Sequence, residues 1–415
     1  MVEQMLQKAE ILIQSKRFKQ AAAVLEDVMV KIPDNPSVLG RYSQVLFELK
    51  EMKKGLEVIN SAIALAPEND FLFYIKGYGH LMNDQYQDSE NALNQAIHLN
   101  PEVSLYFAMM AYLKIVRKNF AEALKYADES LALDPENTLG LNARSTALLK
   151  LDRKEEAVQT IQGALNENPN DPYTHANYGW SLLEQGKPKA SLDHFAEALK
   201  LDPNFTYAQQ GMMEALKAKY LFYRWFLKYA FAMGNLAAKY QWGVIIAIYL
   251  GTRFLGSLAK NVEWLRPFLI PIIVLLVLFA ISTWIITPLS NLFLKLNTYG
   301  KHLLTKEQKM SSNFVGLSLI VCLIGGLAYL FLQDEDWLTI AIYGFAMMIP
   351  WSVAFIPAKY KYSLLIYAIV LAVVGIGAIL TTFANGELIN GFSMIFLFGF
   401  VAFQWIANYL TSDFQ

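Results

Sequence analysis

The stretch "LALDPEN", residues 131–137, ends the helix-like run "FAEALKYADES" on a proline, and it is one of six such endings. The others are "KIPDNP", "LAPEND", "LNPEVS", "ENPNDP" and "LDPNFT". The first prolines of the set are Pro33, Pro67, Pro101, Pro135, Pro169 and Pro203, and every interval is 34 residues. Proline lacks an N–H and its ring clashes with the preceding turn, so each one stops a helix and opens a connection. A fixed period of this length predicts a stack of identical two-helix units.

Small side chains test that prediction independently, because paired helices approach closely only where side chains are small. Twenty-four residues before each proline stand Ala9, Ser43, Gly77, Ala111, Ser145 and Gly179. Twelve before stand Ala21, Gly55, Ser89, Ala123, Ala157 and Ser191, and five before stand Val28, Ala62, Ala96, Ser130, Ala164 and Ala198. Only Val28 departs from Ala, Gly or Ser. Residues 2–205 resemble the tetratricopeptide-repeat family, most clearly in "YGWSLLEQGKPKASLDHFAEALKLDP". The family's bulky aromatic is kept as Phe195 and replaced by Leu25, Ile59, Leu93, Ala127 and Ile161 in the other units. The resemblance implies an all-α fold, a right-handed superhelix of six helical hairpins over residues 1–205, whose first helices line a concave groove for protein or peptide.

The repeat register places Tyr74, Tyr78, Met109, Tyr112, Asn142, Asn177 and Trp180 on the groove side. The aromatics suit an apolar or extended peptide, and by the resemblance Asn142 and Asn177 would hydrogen-bond its backbone. An equal alternative is that these side chains fill the superhelix or pack on the protein's own second half. A basic set for clamping a C-terminal carboxylate is not evident; only Arg41 and Lys76 stand near such a place. His80, His98, His175, His194 and His302 lack paired ligand spacing, so they read as helix-surface residues, and no metal or cofactor is expected.

The near-neutral net charge of the 415-residue chain, -1, conceals a division. Residues 1–205 hold 21 Lys and Arg against 28 Asp and Glu, whereas residues 206–415 hold 14 against 8. An acidic half and a basic, more apolar half indicate two domains in different solvents. Cys322 is the single cysteine, so no internal disulfide or cysteine cluster forms. The N-terminus "MVEQMLQKAEILIQSKRFKQ" spreads charge throughout and has no apolar core of signal-peptide length, which predicts a cytosolic repeat domain.

Residues 206–240 read as a capping helix, "YAQQGMMEALKAKY", followed by an aromatic-rich helix. Lys217, Arg224 and Lys228 lie on one helical face, at i, i+7 and i+11. With Trp225 and its aromatic neighbours opposite, they form the pattern of a helix lying in the headgroup layer. A buried connecting helix is the alternative. Nucleic acid is disfavoured, because the acidic repeats would repel phosphate.

Residues 241–415 predict a polytopic helical membrane domain, with candidate spans at 242–259, 266–288, 313–332, 337–356, 364–383 and 391–410. The first is short, carries Arg253, and has a surface or re-entrant alternative. If it spans, Lys295, Lys301, Lys306, Lys309, Lys359 and Lys361 fall on the repeat side, while Asp334, Glu335, Asp336 and Glu387 fall opposite. That distribution obeys the positive-inside rule with both termini cytoplasmic. The spans hold no His or Asp for intramembrane proteolysis and, Arg253 apart, no mid-membrane ionisable group for coupled transport. Pro271, Pro350, "LIGGLA" and "VVGIGA" read as packing devices, and Gln404 with Asn408 as helix-to-helix contacts or a partner contact.

The expectation is therefore a non-enzymatic, multi-pass membrane protein whose repeat domain recruits a protein partner, or assembles or regulates a membrane complex. The alternative is a transporter or lipid-handling protein with the repeats as its regulatory domain; a polar cavity between spans near Pro271 and Pro350 would favour it. The expected partners are a protein or peptide in the groove and the lipid bilayer, without nucleic acid. A bacterial inner membrane fits, and eukaryotic membranes stay open.

Overall fold

The computed structural model describes residues 1–236, 238–295, 297–298 and 300–411, without the side chains of 238–242, 244–245 and 277–284. Two compact units separate: Met1–Ser181 with His194–Phe205, and Leu182–Asp193 with Thr206–Gln415. Among the described residues every regular element is helical.

Twelve helices follow the 34-residue period in pairs. They are α1 (Val2–Gln14) with α2 (Phe18–Lys31), α3 (Pro36–Glu48) with α4 (Met52–Leu65), and α5 (Asp70–Met82) with α6 (Tyr86–Leu99). Then come α7 (Ser104–Val116) with α8 (Phe120–Leu133), α9 (Thr138–Lys150) with α10 (Lys154–Glu167), and α11 (Pro172–Glu184) with α12 (Pro188–Leu201). The residues aligned with Phe195 are all fully buried: Leu25, Ile59, Leu93, Ala127 and Ile161, with Phe195 itself. Three of the serines at the close-approach positions bond across the hairpin, whereas the buried Ser130 hydroxyl has no partner among the described residues. The hydroxyls of Ser43, Ser89 and Ser145 donate to the carbonyls of Gly55, Gly77 and Ala157 at 2.8, 2.8 and 2.9 Å.

The turn inside each pair has a second device, which the proline pattern does not reveal. Lys16, Lys50, Asp84, Lys118, Asp152 and Gly186 have φ of 57, 65, 57, 60, 62 and 78°, again every 34 residues. At each, the residue's N–H and the next one bond back to the helix in the six-to-one, five-to-two pattern of a left-handed helix stop. In the second pair, Glu51 N–H reaches Leu46 O at 2.9 Å and Lys50 N–H reaches Phe47 O at 3.0 Å. A left-handed backbone costs an L-residue about 1–2 kcal/mol, and the two satisfied carbonyls at each turn offset it.

The second unit continues with α13 (Thr206–Lys217), α14 (Leu221–Asn235), α15 (Ala238–Asn261), a 3-10 turn at Glu263–Leu265, and α16 (Arg266–Lys295). After the short α17 (Gly300–Leu303) come α18 (Lys306–Leu332), α19 (Asp336–Val353), α20 (Ser363–Asn385) and α21 (Gly391–Thr411). Among the described residues, α18 to α21 are the four helices long and apolar enough to cross a membrane. Six were expected. The remaining windows, 242–259 and 266–288, fall within α15 and α16, but positions 242, 244–245 and 277–284 lie outside the described side chains.

Helices α18 and α19 approach to backbone contact. A Cβ on Gly325 would stand 2.5 Å from Ala341 N, and one on Gly344 would stand 2.4 Å from Cys322 N. Val315, Met347, Ala368, Phe403 and Ala407 form the buried centre among α18 to α21. Leu317, Leu323, Phe331, Val373, Phe398 and Trp405 point outward and are exposed. Helix α13 joins this unit through Leu216, packed in a cluster with Leu294 and Leu304.

Candidate partner-binding groove

The first helices of successive pairs pack on one another, α3 on α5, α5 on α7, and α7 on α9. This register brings Tyr74 and Tyr78 of α5 together with Met109 and Tyr112 of α7, around buried Leu81, Leu93, Met110 and Leu113. Met109 is buried; the three tyrosines are half-buried. Tyr74 stacks on Phe71 and on Tyr106, with ring centroids 5.7 and 5.4 Å apart. Tyr106 is buried and donates to Asp70 Oδ2 at 2.8 Å, which fixes the stack.

The hydroxyls divide by partner. Tyr78 donates to Glu48 Oε1 at 2.6 Å, and burial with that carboxylate pushes its pKa well up. Burial alone pushes Tyr74 up to about 12 and raises Tyr112. Among the described residues, neither the Tyr74 nor the Tyr112 hydroxyl has a hydrogen-bond partner, so both remain neutral donors at physiological pH.

Asn142 and Asn177 are brought together, but for a different task from the expected one. Asn142 is 1% exposed. Its Nδ2 donates to Thr138 O at 2.9 Å and Thr174 Oγ1 at 2.8 Å, and its Oδ1 accepts from Asn177 Nδ2 at 2.9 Å. Asn177 Nδ2 also reaches Asn142 O at 3.3 Å, and its Oδ1 accepts from Thr146 at 3.3 Å. Both amide hydrogens of Asn142 are engaged within the protein, so this side chain ties α9 to α11 and cannot also donate to a peptide. The expectation for Asn142 is corrected on that ground. The signal was present in the sequence: Thr174 and Asn177 stand 32 and 35 residues after Asn142, about one repeat on, as a contact between neighbouring first helices requires. Trp180 is half-buried, edge-on to Phe195 with centroids 5.7 Å apart.

Arg41 lies 3.8 Å from Glu10 and over the Phe71 ring, beside a cavity of about 300 Å³ between α1 and α3. Glu10 neutralises the one arginine near the place where a carboxylate clamp would stand.

The basic–aromatic junction also departs from its expected form. Helix α13 ends at Lys217 and α14 begins at Leu221, so Lys217 shares no helical face with Arg224 and Lys228. Lys217 is 2% exposed, donates to Glu214 Oε1 at 2.9 Å and sits 5.4 Å over the Tyr223 ring. Glu214 also accepts from the Tyr223 hydroxyl. Lys217 is thus corrected from a headgroup contact to a buried pair. Arg224 is half-buried and donates to Ala218 O at 3.0 Å. Trp225 and Phe222 are 61% and 78% exposed, and Lys228 is exposed beside them.

Tetratricopeptide-repeat family models match residues 12–72, 117–176 and 172–205. No curated protein matches. Solved structures with similar folds include a tetratricopeptide-repeat protein from Parabacteroides merdae, 15% identical with a TM-score of 0.42, covering 57% of this chain and 94% of that one. PilF of Pseudomonas aeruginosa is 17% identical with a TM-score of 0.40, covering 50% and 95%. YrrB, described as "a TPR protein with an unusual peptide-binding site", is 15% identical with a TM-score of 0.32, covering 46% and 97%. With matches to the family's own sequence pattern at both ends of residues 12–205, and paired helices at the 34-residue period throughout, this segment is a tetratricopeptide-repeat array.

Proposed function

We propose that the chain is a membrane-tethered scaffold whose repeats hold a protein or peptide partner at the cytosolic face, for recruitment, assembly or regulation of a membrane complex. The observation that carries this reading is the Tyr74–Tyr112 surface. It offers aromatic faces and two hydroxyl donors with no partner among the described residues, as an extended peptide with apolar side chains and free carbonyls requires. The tether rests on α18 to α21, whose outward Leu, Ile, Val and Phe side chains would be a large aggregation liability in water and are at home in hydrocarbon. Exposed Phe222, Trp225 and Lys228 on α14 fit the headgroup layer beside it.

The test is crosslinking in native membranes, followed by purification and mass spectrometry, on the wild type and on Tyr74→Ala with Tyr112→Ala. Hydrogen exchange on α5 and α7 checks that the variant keeps its fold. A partner lost from a folded variant supports recruitment through this surface; an unchanged partner set removes it. For the alternative, a lipid-handling membrane half regulated by the repeats, a cavity of about 570 Å³ lies among α16, α18 and α19, but neither Pro271 nor Pro350 lines it.

A further inference from the structure

Two cavities open at the end of the apolar helices that carries the basic connections. One, of about 570 Å³, is bounded by Pro288 and Asn291 of α16, Ser311 of α18 and Ser352 of α19. The other, of about 480 Å³, is bounded by Lys306, Lys361, Leu364 and Leu365. Glu307, Phe355, Ile356 and Pro357 line both, so the two are neighbours across a single wall of side chains.

The two serine hydroxyls of the first cavity are engaged internally. Ser311 donates to the carbonyls of Trp351 and Ser352, each at 3.0 Å, and Ser352 donates to Ile349 O at 2.7 Å. Asn291 is 3% exposed, and its amide oxygen has no partner among the described residues. A buried unsatisfied carbonyl oxygen costs about 1–3 kcal/mol, and an occupant that donates a hydrogen bond would remove that cost. The second cavity adds two exposed ammonium groups, Lys306 and Lys361, above an apolar floor. Lys306 begins α18, whose N-terminus is already closed by a capping box between Thr305 and Gln308, so the two ammonium groups supply the positive charge here beside the Glu307 carboxylate.

A hydrogen-bond donor, an anion and apolar chains, side by side at the rim of an apolar bundle, describe one kind of molecule. We infer that these cavities seat a phospholipid whose headgroup carries a donor, with its phosphate at Lys306 and Lys361, its donor at Asn291, and an acyl chain along Phe355, Ile356 and Leu365. The inference rests on α18 to α21 spanning the bilayer. A choline headgroup, which has no N–H or O–H, would satisfy the lysines but leave Asn291 unpaired.

The full chain, purified in detergent and stripped of lipid, is offered phosphatidylglycerol, phosphatidylethanolamine or phosphatidylcholine, and bound lipid is counted by native mass spectrometry. The glycerol or ethanolamine lipid is expected to outcompete the choline lipid. Lys306→Gln with Lys361→Gln, both surface changes, should weaken retention of all three on the order of tenfold. Asn291→Leu should abolish the preference while leaving residual binding. Three results overturn the inference: equal retention of all three lipids by the wild type, retention unchanged in the lysine variant, or inorganic phosphate displacing the lipid at millimolar concentration. A carbonate wash of native membranes keeps the premise separate. A chain that washes off sinks the spanning reading; a chain that stays but shows no lipid preference sinks only this site.

Discussion

Asn142→Ala separates the two roles available to the asparagines of the first helices. Three hydrogen bonds of its side chain disappear, to Thr138 O, to Thr174 Oγ1 and from Asn177 Nδ2, at 2.9, 2.8 and 2.9 Å. Each is worth about 1 kcal/mol net, and the site is too buried for water to replace them readily. Asn177 keeps its longer bond to the backbone carbonyl of residue 142, and Thr174 keeps its bond to Asp171, which recovers part of the loss. The expected cost is about 2–3 kcal/mol, concentrated where α9 meets α11, because repeats couple chiefly to their neighbours. Hydrogen exchange of the full chain in detergent reads this locally: protection in α9 and α11 should fall by about that amount, while α1 to α4 change little. Partner capture at a temperature where the variant is folded should equal that of the wild type. The reasoning fails if protection changes by less than about 0.5 kcal/mol while partner capture is lost, since the side chain would then be acting on the partner.

The turns give a paired test. Gly186→Ala should destabilise by about 1 kcal/mol, whereas Asp152→Gly should be neutral or mildly stabilising, both read by urea midpoint. Lys114 is buried between Glu90 and Glu122 at 2.8 and 2.6 Å, so Lys114→Met should cost about 2 kcal/mol, moderated because both carboxylates reach water. Lys114 also holds the Glu122 carboxyl below its ordinary value of 4.5. This contribution is complete above that value and is lost as pH falls through the depressed one, so acid titration of the variant should show a shallower loss of stability below pH 4.5. Gly344→Val should separate α18 from α19, because a Cβ there already meets Cys322 N at 2.4 Å; crosslinks between the two helices in membranes should disappear. Ser89→Ala, which leaves the buried Gly77 carbonyl with one bond fewer, should cost about 1 kcal/mol by the same urea assay.

What could be read from residues alone follows the physics of each signal. Proline and small side chains act through sterics that belong to the residue itself, so the period, the hairpins and the buried Phe195 series were legible. The left-handed turns were not, because backbone bonds stabilise them and Lys or Asp can occupy them when Gly does not. A polar residue on a first helix has the same appearance whether it faces a peptide or the next helix. Only the partner one repeat later, Thr174 or Asn177 for Asn142, distinguishes the cases. Lys217 was misplaced for a related reason: its stripe assumed one continuous helix, whereas α13 ends at Lys217 and its ammonium pairs with Glu214, three residues back on the same helix. The cavity beside Asn291 is hidden more deeply, since its walls come from α16, α18, α19 and the segment after α19, which no local pattern connects. The two halves therefore differ in how their function can be found. The repeats display a surface that periodicity locates to within one side of a helix, and the partnered or unpartnered state of each side chain then narrows it. The apolar helices read as uniform along the chain, and only packing singles out Asn291, a buried amide oxygen left without a donor among the described residues.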